Sequence, residues 1–107
     1  MSRYLILWRR REVAQWPTNP TDYLKLMEMQ WATIEGLQKK GDIKEFGWFT
    51  KGDSGYILGE GDGATVFKDL VMFTHFYDFD VSEVVPYEKG KETMRSVLTL
   101  QIEAMKK

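Results

Sequence analysis

Residues 42–60, DIKEFGWFTKGDSGYILGE, decide the fold. Two apolar runs, 42–50 and 55–60, flank the turn-forming residues KGDS, so the segment reads as a β-hairpin. What stands on either side of that hairpin sets its place in the chain. Upstream, Asn19 is placed as an N-cap, with Pro20 at the first helical position and Asp22 three residues after the cap. The helix then runs to about Lys40. Leu24, Met27, Trp31 and Ile34 recur at three-to-four spacing on one face, with Tyr23 and Leu37 widening it. Gly41 supplies the stop. Downstream, Asp62 or Gly63 opens a second helix to about Tyr77, with Val66, Leu70, Phe73 and Tyr77 on its apolar stripe.

Outside the two helices lie RYLILW (3–8), a short uninterrupted apolar strand, and FDVSEVVPY (79–87), a strand weakened near its end by Pro86. A last amphipathic helix is expected over 91–106, its stripe formed by Met94, Leu98, Ile102 and Met105. The order β-α-β-β-α-β plus a terminal helix is the split β-α-β, or ferredoxin-like, arrangement of the α+β class. One domain over 1–107 is expected, with its core in 3–87. Right-handed crossovers put both internal helices on one face of a four-stranded antiparallel sheet.

With water on the other face, each strand would alternate apolar and polar residues. These strands do not. Tyr4, Ile6 and Trp8 oppose Leu5 and Leu7; Phe46 and Trp48 oppose Ile43 and Phe49; Tyr56 and Leu58 oppose Ile57; Val81 and Val85 oppose Val84. Leaving about six such side chains in water would forgo on the order of 10 kcal/mol, as much as the whole stability of a small domain. Either the terminal helix folds across the bare face, or a second copy covers it. Face-to-face packing of two sheets in a homodimer, a dimeric α+β barrel, is the reading taken. If the terminal helix leaves its stripe exposed, it is itself an interaction surface.

The segments LILWR (5–9), GWF (47–49), SGYILGEGD (54–62) and V-x-PY (84–87) resemble an uncharacterised branch of the dimeric α+β barrel superfamily. That superfamily includes muconolactone isomerase and the antibiotic-biosynthesis monooxygenases. The likeness covers 3–87 in element order and rests on structural rather than catalytic motifs. It implies a homodimer with a pocket between sheet and helices in each protomer, and chemistry ranging from isomerisation to cofactor-free oxygenation. The haem-degrading members use a histidine on the second helix and an asparagine on the first strand. Here YLILW has no asparagine, so no cofactor is expected.

His75, the one histidine, lies beside the second helix's stripe. As a functional residue it would be a general acid/base tuned by Asp78; as a structural one it would sit at the helix end, favoured by the dipole. Aromatic residues make up 14 % of the chain. Tyr4, Trp8, Trp48, Tyr56, Phe73 and Tyr77, with Phe46 and Phe76, are the candidate lining of a small-molecule pocket or simply a dense core. The expected function is to hold a small apolar or aromatic molecule. The alternative is an isomerase or cofactor-free monooxygenase with His75 as acid/base and Tyr4 or Tyr56 orienting the substrate.

Other classes find little support. GEGDGAT (59–65) fails the phosphate-loop pattern, and Glu60 and Asp62 would repel phosphate. WRRRE (8–12) is an isolated basic cluster in a chain of net charge −1, so no nucleic-acid partner is expected. One histidine and no cysteine make a poor metal set. No run reaches membrane-spanning length, and a cytoplasmic location is expected.

Overall fold

The computed structural model describes residues 2–106. The elements run β1 (Ser2–Arg10), α1 (Pro20–Lys40), β2 (Ile43–Trp48), β3 (Ser54–Gly61), α2 (Gly63–Val71), β4 (Tyr77–Val84) and α3 (Tyr87–Met105). The four strands form one antiparallel sheet in the order β2-β3-β1-β4. Each internal helix therefore links two parallel strands with a third strand between them. The class is α+β.

Local chemistry sets most boundaries. Asn19 Oδ1 accepts from the Asp22 N–H at 2.9 Å, and Gly41 at φ 95° closes α1 by donating to Leu37 and Gln38 carbonyls. A residue with a Cβ is strained at that φ. The β2–β3 turn uses Gly52 at φ 90°, and its ends are tied by Phe49 N–H to Ser54 O at 2.8 Å. Asp62 caps α2 by accepting from Thr65 N–H at 2.8 Å, which holds its carboxyl below the usual range.

Several expectations are corrected. α2 stops at Val71, not Tyr77. Residues 72–76 turn through short-range bonds such as Phe73 N–H to Leu70 O and Phe76 N–H to Phe73 O, so Tyr77 opens β4 instead of closing a helix. Phe73 and Tyr77 still face the apolar space between sheet and helices, one from the turn and one from the strand, which is why the helical period carried on past the helix. β1 extends to Arg10, β4 ends at Val84, and the last helix begins at Tyr87 rather than 91.

The core lies on one face of the sheet. Ile6 and Trp8 of β1, Ile57 of β3 and Ile43 of β2 are buried with Leu37 of α1 and Val66 of α2. Ile43 was expected opposite Phe46 and Trp48. A register irregularity between Ile43 and Glu45 restores it to their face, since one extra residue reverses the strand's alternation. On α1 the packed line passes through Met27, Gln30, Ile34 and Leu37, while Leu24 is exposed.

The opposite face is less apolar than expected. Leu5, Leu7, Tyr56, Leu58 and Val84 make an apolar band, but β4 adds Asp78, Asp80 and Ser82 there, as their register against Arg9, Leu7 and Leu5 requires. Arg9 Nη1 bonds Asp80 at 3.1 Å, and Arg3 Nε bonds Glu60 at 3.1 Å. Nor does α3 cover this face. Every described residue of α3 except Gly90 is exposed, and the molecule measures 70 × 29 × 24 Å. Met94, Leu98 and Ile102 remain open to solvent at 59, 50 and 54 %.

Candidate functional site

β3 makes room for the site. Its inward positions are Gly55, Ile57, Gly59 and Gly61, so three of four present no side chain to the helices. The Trp8 indole lies across Gly55, and the methyl end of Ile6 lies over Gly59. Between this floor and α1 is a small apolar cavity of about 50 Å³. Trp8, Trp31, Trp48, Phe73 and Tyr77 stand in its wall with Met27, Ile34, Leu37 and Val66. Trp8 stacks on Phe46 with centroids 5.7 Å apart and takes the edge of Tyr77 at 5.4 Å. These rings fix one another.

Trp8, Met27, Trp31, Trp48 and Tyr77 also front a wider cleft of about 660 Å³ between the N-terminal half of α1, with the residues just before it, and the sheet. That is within the usual range for small-molecule sites. Tyr23, Pro17, Pro20 and Arg10 complete its wall. The cleft and the inner cavity thus share an aromatic partition.

Polar atoms on this partition are few. Tyr77 Oη donates to Gln30 Oε1 at 2.7 Å, and burial pushes the phenol up to about 12, so it stays neutral. Gln30 is buried for that bond. Trp8 Nε1 and Trp31 Nε1 are also buried, yet neither has an acceptor among the described residues. A buried N–H without a partner costs about 1–3 kcal/mol. By contrast, Trp16 Nε1 donates to Arg11 O at 2.9 Å.

At the far end of the cavity, Asp69 of α2 and Asp42, just before β2, both reach the wall. Asp69 is 9 % exposed. Burial first, then hydrogen bonding to Asp42 and repulsion by its charge, push Asp69 up to about 6. Asp42 Oδ2 is buried without a hydrogen-bond donor, with Lys40 Nζ standing off at 3.8 Å. Burial thus favours a protonated Asp69 in this apolar wall.

Because the folded value exceeds the unfolded value of 3.8, the folded state binds this proton more tightly. The associated stability is complete below about pH 4 and is lost as pH rises through about 6. Asp69→Asn is therefore expected to flatten the melting profile between pH 4 and 8. It should raise stability at pH 8 by on the order of 2 kcal/mol. Parallel melting profiles for the two proteins would contradict the pairing.

The sequence-predicted residues divide. Trp8, Trp48, Phe73 and Tyr77 meet at the cavity. Tyr4 is on the same sheet face but packs toward Gly63 near α2, outside the cavity wall. Tyr56 is on the other face, where its hydroxyl donates to Glu45 Oε2 at 2.5 Å; that bond raises its pKa. It does not reach the cleft. His75 is exposed in the 72–76 turn, its ring edge-on to Phe76 at 4.7 Å, and lines neither cavity nor cleft.

Sequence reasoning missed Gln30, Asp42, Asp69 and Arg10. One signal was available: glycines at 55, 59 and 61 share a parity, marking the strand face that something else must fill. The aspartates carried none, because their meeting is a tertiary event. Among the described residues no group of side chains suits a metal, and no helix is long and apolar enough to cross a membrane. No protein-family model matches the chain, and comparison with curated proteins finds no relative.

Proposed function

We propose that this chain is a ferredoxin-like protein of the dimeric α+β barrel type that holds a small aromatic or apolar molecule in the cleft between α1 and the sheet. The observation that carries the reading is the shared aromatic partition with its two buried, unpartnered indole N–H groups. A molecule entering the cleft buries its own apolar surface on Trp31 and Trp48.

The homodimer rests on the other surfaces. Helices in proteins draw most of their stability from packing an amphipathic face, yet α3 has no buried residue among those described. The sheet face beyond the core also has no cover. Each copy thus carries both an amphipathic helix and an apolar band, the self-complementary condition for a two-fold dimer.

A second reading, acid–base chemistry on a small molecule, draws on Asp69, a carboxyl in the cavity wall that burial pushes up to about 6. His75 is the weaker candidate for that role because it stands outside.

The four indole N–H resonances test the cleft directly. Titration with indole or phenol to millimolar concentration is expected to shift Trp8 and Trp31 saturably. Trp16, already bonded to Arg11 O, should move least. Uniform shifts, or none, would remove the cleft as a binding site.

A further inference from the structure

β1 ends in Arg9 and Arg10, which the strand's alternation sends to opposite faces, and Arg11 follows directly after it. Arg9 lies 3.1 Å from Asp80 and 4.0 Å from Asp78, and Arg11 lies 3.6 Å from Asp78. Arg10, paired across the sheet with Tyr77, shares the helix-side face. No carboxylate lies within ion-pair distance of it among the described residues. Its guanidinium instead stands 4.2 Å from the centre of the Trp16 ring and 5.4 Å from that of Tyr23. Among the described residues it is the only charged side chain in the wall of the 660 Å³ cleft, with no Asp or Glu beside it there.

We propose that this cleft selects a small aromatic carboxylate, with Arg10 receiving the carboxylate and the Trp31–Trp48 side receiving the ring. The inference rests on the binding role proposed above and names its ligand class. A guanidinium flanked by aromatic rings keeps its orientation and offers two parallel N–H donors, the geometry a planar carboxylate accepts. Its positive charge is not neutralised by the protein, so an anion gains more there than at Arg9 or Arg11. A single cation suits a monoanion; a phosphate dianion would call for further cations that the wall does not supply.

The test compares benzoate and 4-hydroxybenzoate with benzamide and phenyl phosphate, by calorimetry or by the indole resonances. The wild-type protein is expected to bind the carboxylates at least ten-fold tighter than benzamide, with the advantage shrinking as salt rises. Arg10→Gln should abolish the advantage while leaving benzamide binding in place. Arg10→Lys should keep part of it, and Arg9→Gln all of it. Equal binding of benzoate and benzamide, a preference that survives Arg10→Gln, or tighter binding of phenyl phosphate than of benzoate would overturn the carboxylate assignment alone. Failure of every compound to bind would instead remove the parent reading of the cleft.

Discussion

Gly55→Ala is expected to destabilise the fold by about 3 kcal/mol or more, lowering the melting temperature by roughly 15 °C. A Cβ at position 55 collides with the Gly47 carbonyl of the neighbouring strand and comes within 2.6 Å of the Trp8 indole. Neither can yield cheaply. The carbonyl belongs to the sheet, and the indole is held between Phe46 and Tyr77. Gly59→Ala is the matched control. There the new methyl meets Asp42 O at 3.5 Å and Ile6 Cδ1 at 3.6 Å, ordinary contact distances. Its effect should be near neutral, or stabilising by a few tenths of a kcal/mol through reduced freedom of the unfolded chain. Thermal melts of the two variants side by side check the floor of the cavity; equal tolerance at both positions would show that Trp8 does not lie across Gly55.

The second large effect is expected at α3. Leu98→Glu with Ile102→Glu puts two carboxylates on the stripe proposed to be buried between copies. Unpaired charges there should weaken association by roughly 100-fold or more. Without a partner surface α3 should also lose helix, because a helix in a protein draws most of its stability from packing its amphipathic face. Ser96→Glu, on the opposite side of the same helix, should change neither property. Far-UV circular dichroism across a dilution series separates the outcomes. Full helicity in the double variant, independent of concentration, would mean that α3 stands without a partner.

The element order was legible because most boundaries have a local cause. Asn19 and Gly41 mark α1 by capping chemistry, and the Gly52 turn marks the hairpin, all within a few residues. The end of α2 was not legible. Leu70, Phe73 and Tyr77 keep the helical period, so the periodicity points the same way whether the chain stays helical or turns into a strand. Only the turn at 72–76 decides between them. The irregularity after Ile43 was hidden for a similar reason: one extra residue reverses alternation without any change in composition.

The site was legible in outline, since aromatic residues at alternating positions of β1 and β2 had to meet somewhere. Its chemistry was not. Tyr56 and Trp48 look equivalent in an apolar strand, yet the register puts them on opposite sides of the sheet. Arg10 sits inside an arginine run that reads as a solvated cluster, and only strand parity separates it from its paired neighbours. His75 drew attention as the one imidazole, but the early end of α2 leaves it on an exposed turn. Asp42 and Asp69 are far apart in sequence and become a pair only when α2 docks beside the start of β2.

The most direct check on the whole account is the mass of the unmodified chain in solution, by sedimentation equilibrium or light scattering at micromolar concentration. Twice the chain mass is predicted, because neither the bare sheet face nor α3 finds its cover within one copy. A single chain's mass, with α3 fully helical at every dilution, would contradict the two-copy assembly and the likeness to the dimeric barrels built on it.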